Sequence, residues 1–152
     1  MIELSLLRSA DNPSVACDRG THAFTYWLYP HQGTVREAGI AQKGYELNVP
    51  LRTVSGFMGE ADQKSFFAVD SSDVIIDTVK PAEDGNGMIL RLFETYNTAQ
   101  RCALRFGFPV RRVEETDLME KPIDGQTLEA DENGAIKLSI HPYEIKTYRI
   151  EM

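Results

Sequence analysis

The stretch that most limits what this chain can fold into is 87–122, GMILRLFETYNTAQRCALRFGFPVRRVEETDLMEKP. In 88–94, Leu90 and Leu92 fall on one side of an extended backbone, and Ile89, Arg91 and Phe93 on the other. In 102–108, Cys102, Leu104, Phe106 and Phe108 share one face. Alternation of period two is the mark of a half-buried strand. The polar break Tyr96-Asn97-Thr98 predicts a hairpin between these runs, and 110–119 is expected to add a third strand, closed by Pro122. Such a meander belongs at the centre of an antiparallel β-sandwich. The fold class expected is therefore mainly β, with one short helix.

The remaining segments fit that frame. Residues 2–9 and 22–30 alternate, and 22–30 carries Phe24, Tyr26 and Leu28 on one face and Trp27 and Tyr29 on the other. Large aromatics on both faces predict a strand covered on both sides. A turn is expected at Asp11-Asn12-Pro13. In 33–48, Val35, Ala38, Ala41, Tyr45 and Leu47 recur at helical intervals. Thr34 is a candidate N-cap, and Pro50 marks the end. Gly39 and Gly44 each weaken that helix by about 1 kcal/mol relative to alanine. Further strands are expected at 51–55, 65–69, 74–80, 126–130, 136–140 and 144–150. The loop at 81–87 and the Asn133-Gly134 pair predict hairpins, and 56–63 is expected to be a loop exposing Phe57-Met58. With no linker or repeat to divide it, 1–152 reads as a single domain.

Charge narrows the partners. Sixteen basic and 23 acidic residues give a net −7, which argues against a nucleic-acid backbone or an anionic membrane. No apolar run reaches membrane-spanning length, and the start lacks the pattern of a signal peptide, so the cytoplasm is the expected compartment. Cys17 and Cys102 have no metal-ligand spacing and are expected to be separate thiols, Cys102 buried.

Little in the chain carries chemistry. There is no phosphate loop, nucleophile elbow or helical zinc motif. His22, His31 and His141 lie far apart, and His141-Pro142 is expected to shape a turn. A glycosidase needs two facing carboxylates. Glu114, Glu115, Asp117 and Glu120 instead read as a solvated strand edge. The best candidate is Asp18-Arg19-Gly20-Thr21-His22, on a loop leading into an aromatic segment, where arginine beside a carboxylate can clamp sugar hydroxyls. A plain turn with a surface ion pair fits the same residues.

Several segments occur in an order that resembles the C-terminal region of glycoside hydrolase family 38 α-mannosidases of the bacterial and cytosolic type. They are LSLLRS at 4–9, DRGTHAFTY at 18–26 with Tyr29-Pro30-His31, and ELNVPL at 46–51. TVK at 78–80, LRLFE at 90–94, ETDLME at 115–120 and PYEIKT at 142–147 follow. The resemblance implies a β-sandwich of the galactose-mutarotase-like, family 38 C-terminal type. It implies a parent that is a retaining α-mannosidase using one zinc ion, with the aspartate nucleophile and the zinc ligands in an N-terminal catalytic domain. None of those N-terminal motifs occurs here, so the chain is expected to hold no catalytic residue, metal ligand or cofactor of its own. It is expected to be a C-terminal part, inactive alone, whose partners are the catalytic domain and mannose-containing glycans. Asp18, Gly20 and His22 match the family's D-x-G-x-H pattern, and with Arg19 they form the implied substrate-binding loop. Two other expectations stand beside this one: an independent carbohydrate-binding module using Tyr26, Trp27 and Tyr29, and a domain that assembles a homo-oligomer.

Overall fold

A computed structural model describes residues 3–8, 10, 12, 17–56, 63–131 and 134–152. The chain divides into two compact units, Met1–His31 and Gln32–Met152.

The second unit is an antiparallel β-sandwich. Its strands are β1 (Phe67–Val69), β2 (Val74–Pro81), β3 (Met88–Glu94), β4 (Gln100–Phe106), β5 (Arg112–Thr116), β6 (Pro122–Leu128), β7 (Ala135–Ile140) and β8 (Ile145–Glu151). One sheet has the order β1-β4-β7 and the other β2-β3-β8-β5-β6. The core lies between them. The larger sheet contributes Val74, Leu90, Leu92, Val113, Tyr148 and Ile150, and the smaller one Cys102, Leu104, Ile136, Leu138 and Ile140. Phe67, Phe106 and Phe108 close one end, their ring centroids 5.4–6.0 Å apart. The predicted faces of β3 and β4 are the observed ones, and Cys102 is buried and free.

The predicted meander is not formed. β3 and β4 lie in different sheets, β5 returns to the first, and β7 pairs with β4. Alternation reports which face of a strand is buried, not which strand lies beside it. The turn at 95–98, with Asn97 at φ 59°, therefore carries the chain across the sandwich rather than back along one sheet. The 81–87 hairpin does join β2 to β3. Pro122 opens β6 instead of closing β5. A turn built on Asp117, whose Oδ1 accepts from Met119 and Lys121 N–H at 2.9 Å, joins the two. The expected hairpin at Asn133-Gly134 survives as a single bridge, Ala130 to Ile136; Asn133 lies outside the described residues. So do Ile2, Ser9, Asp11, Pro13, Phe57 and Met58.

The helix is shorter than predicted. α1 spans Ile40–Asn48. Thr34 caps the turn before it, in a reciprocal arrangement with Glu37: Glu37 N–H donates to Thr34 Oγ1 at 3.2 Å, and Thr34 N–H to Glu37 Oε2 at 2.7 Å. Gly39, at φ 62°, then breaks the helical path. Ala41 N–H, one of the orphan donors this break creates, is satisfied by Tyr96 Oη at 3.1 Å. Val49 precedes Pro50 and leaves the helical region, ending α1. Residues 51–55 form no strand, and Leu51 is fully exposed.

In the first unit, the described residues of 3–8 and all of 22–30 are irregular backbone rather than strands. The alternation is present, but no described strand pairs with either segment. The expectation that 22–30 is covered on both faces is overturned: Phe24, Tyr26, Trp27, Leu28 and Tyr29 are all exposed.

Candidate functional site

The Asp18–His22 loop is a tight, exposed turn. Asp18 takes a left-handed conformation, φ 53°, and Gly20 a φ of 140°. His22 Nε2 sits 2.8 Å from the carbonyl oxygen of Asp18, so its ring donates there and closes the loop. Asp18, Arg19, Gly20 and His22 are thus brought together within five residues, all exposed. His31 lies away from this turn in the chain, its ring stacked on Tyr29 at 6.3 Å.

The sandwich unit offers a different feature. Ile75, Phe93 and Ile145 are register partners across β2, β3 and β8. They form one row on the face of the sheet opposite Leu92. α1 lies over this row with Tyr45 against Phe93, centroids 5.8 Å apart. Between helix and sheet runs an open groove of about 750 Å³, lined by Ala41, Gly44, Tyr45, Ile75, Phe93 and Ile145 among others.

Two carboxylates reach this groove, Asp77 and Glu94, and neither suits glycosidic acid catalysis. Asp77 accepts from Thr78 Oγ1 at 2.6 Å and from the Tyr45 hydroxyl. These two bonds hold its carboxyl below the usual range, while the Tyr45 phenol, bonded to Asp77, is pushed up to about 12. Glu94 is 1% exposed. Burial raises its pKa, but three donors outweigh that and leave it low: Tyr143 N–H at 2.9 Å, Tyr96 N–H at 2.8 Å and Thr98 Oγ1 at 3.0 Å. A general acid at neutral pH needs a raised pKa. Both carboxylates are therefore positioning groups. Glu94 fixes the turns at 95–98 and 141–144, and through Tyr96 the start of α1. His141-Pro142 shapes the second of these turns, as expected, with Glu144 N–H donating to His141 O at 3.0 Å.

Asp73 does similar work. It is buried, and it accepts from Arg36 Nε at 3.1 Å, Arg36 Nη2 at 2.5 Å and Gln100 Nε2 at 2.8 Å. The turn before α1 is thereby tied to both sheets. The acidic run of β5 is not a solvated edge, because β5 lies between β8 and β6. Glu115 pairs with Lys146 at 2.8 Å. Glu120 is buried, pairs with Lys80 at 2.6 Å and accepts from Glu83 N–H at 2.8 Å. Cations from distant strands, invisible to local reading, take these acids off the solvent face.

Glu94 carried a readable signal: it stands in phase with Leu90 and Leu92, so its carboxylate had to enter the buried side. Asp73 and Asp77 carried none for their long-range contacts, since Arg36 lies 37 residues from Asp73 and Tyr45 32 residues from Asp77. For zinc, the donor set does not fit. Among the described residues no three His, Cys, Asp or Glu side chains come together as a metal-holding group.

Comparison with known proteins bears on the whole chain. It is 35% identical over 149 residues to alpha-mannosidase 2C1 of Homo sapiens, covering 95% of this chain. It is 33% identical over 155 residues to alpha-mannosidase G of Dictyostelium discoideum, covering 97%. Alpha-mannosidase of Saccharomyces cerevisiae is 24% identical over 170 residues. The chain spans about 14% of the length of the first two relatives. A family model matches residues 73–148, the stretch from just before β2 into β8. With that match over a sandwich of the matching architecture, the chain belongs to the family described as the glycosyl hydrolases family 38 C-terminal beta sandwich domain.

Proposed function

We propose that this chain serves as the C-terminal part of an α-mannosidase, an enzyme that hydrolyses terminal α-mannosidic bonds. One observation carries the reading: proteins named α-mannosidase match 95–97% of this chain, while the match occupies only 14% of their length. The catalytic nucleophile and a zinc site then belong to the rest of that polypeptide. This chain packs on the catalytic domain and lends the Asp18–His22 loop to the wall of the sugar site. It is inactive alone, and its place is the cytoplasm. The exposed row Phe24, Tyr26, Trp27, Leu28 and Tyr29 supports the packing. Five large apolar side chains within six residues form an uncovered patch of the sort that marks an interaction surface.

The loop's part is tested in the longer polypeptide by His22→Ala. Losing the bond that closes the loop is expected to lower kcat/KM for an aryl α-mannoside about tenfold, mostly through KM. An unchanged kcat/KM removes the loop from the sugar site. The exposure of Tyr26, Trp27 and Tyr29 also favours a second reading, a module that stacks sugars on these rings. Calorimetric titration with mannobiose decides it, and no heat at millimolar sugar ends it.

A further inference from the structure

We propose that the groove between α1 and the sheet, with the apolar strip following α1, seats an aliphatic segment of the α-mannosidase polypeptide that lies outside this chain. The inference rests on the proposed function and assigns the docking surface within it.

The first argument is Gly44. It stands in the middle of α1 and lines the groove. Its φ is not positive, and a Cβ built on it meets nothing within 4 Å. Glycine in a helix interior disfavours the helix by about 1 kcal/mol relative to alanine. Nothing among the described residues of the sandwich unit requires that loss. A second backbone passing close over α1 does require it, because glycine lets another chain approach without a Cβ between them. Ala41, three residues earlier, lies on the same wall.

The second argument is the strip itself. Val49, Leu51 and Val54 are 65%, 100% and 85% exposed. Val49 also lines the groove, so the bare apolar surface runs from the groove onto the strip. Ile145, on the opposite wall, is 55% exposed. Aliphatic and aromatic surface of this continuity calls for an apolar partner. The polar atoms at hand are largely committed: Asp77 to Tyr45 and Thr78, Glu94 to its three donors. A sugar ring would find few free hydrogen-bonding groups, whereas an aliphatic side chain needs none. The relatives supply the occupant's source, since six-sevenths of their length lies outside the match.

The test uses the longer polypeptide and a thiol reagent in water. Val49→Cys places a reporter in the groove, at a position that already carries an exposed side chain. Glu46→Cys places one on α1 away from it, at a residue with a half-exposed side chain. Labelling is read by mass spectrometry of the peptide containing the new cysteine, native and denatured. The expected result is that the residue 49 thiol labels at least about tenfold more slowly than the residue 46 thiol in the native protein, and equally when denatured. Equal native rates overturn the proposal. Protection that vanishes on dilution to monomer, or that appears only with added mannose, overturns it too, by assigning the groove to a second copy or to sugar. Should Val49→Cys not fold, hydroxyl-radical oxidation of the unaltered polypeptide reads Val49, Leu51 and Tyr143 directly. Protection of all three supports the seat, and oxidation at the rate of freely exposed residues overturns it. If the wild-type polypeptide has no α-mannosidase activity, the proposed function fails, and that result is separate from any labelling outcome.

Discussion

Glu94→Ala is expected to lower the stability of the purified chain by about 3 kcal/mol at pH 7, because it leaves two backbone N–H groups and a hydroxyl unpaired in the interior. The carboxylate is 1% exposed and accepts from Tyr96 N–H, Tyr143 N–H and Thr98 Oγ1. Glu94→Gln keeps the shape and one acceptor oxygen but turns an NH2 toward a donor, so its cost is smaller, about 1–2 kcal/mol. The pH dependence has a definite sign. The folded-state pKa lies below the ordinary 4.5, so the charged form stabilises the fold. That contribution is complete above the unfolded pKa and is lost as pH falls through the folded value. Urea unfolding of wild type and Glu94→Gln is therefore expected to differ at pH 7 and to converge below pH 4.5. Equal stability of the two proteins at pH 7 would show that the three bonds to Glu94 are not made.

Gly87→Ala is expected to cost a similar amount for a steric reason. Gly87 sits just before β3 at φ 84°, and an added Cβ would overlap the carbonyl oxygen of Ile150 in β8. Overlap with backbone inside a sheet costs about 1–3 kcal/mol, and the left-handed conformation about 1–2 kcal/mol more. Gly85 supplies the control. It lies in the same hairpin at φ 76°, with nothing within 4 Å of its Cβ position. Gly85→Ala is expected to lose only the conformational part. The two variants separate in urea melts by about 2 kcal/mol if the β3–β8 contact is as described. Melts that coincide within error contradict it.

These residues mark what local sequence can and cannot say. The alternation in 88–94 and 102–108 names the buried faces of β3 and β4, since burial on one face needs only a period of two. It cannot name neighbours, and so β3 and β4 read as a hairpin although they lie in opposite sheets. The helix was legible from its spacing, but its start was not. Thr34, the N-cap candidate, caps only the turn before the helix, with Glu37 as its reciprocal partner, and Gly39 then resets the backbone so that the helix proper begins at Ile40. Residues 22–30 carry the signature of a doubly covered strand, yet none of the described strands pairs with them. A strand pattern is a statement about contacts, and among the described residues no strand supplies them to 22–30. The ion pairs that hold Glu115 and Glu120 depend on Lys146 and Lys80, 31 and 40 residues away. No window of local sequence contains both partners.

The central claim is that this chain is a C-terminal part of an α-mannosidase whose catalytic groups lie elsewhere. Hydrolysis of an aryl α-mannoside by the purified 152-residue chain, with zinc determined on the same sample and the longer polypeptide assayed beside it, tests this most directly. The account predicts turnover and zinc in the longer polypeptide, and neither turnover nor stoichiometric zinc in the chain alone. Zinc-dependent turnover by the chain alone would contradict it, and would place a complete active site among residues that here serve to hold the sandwich together.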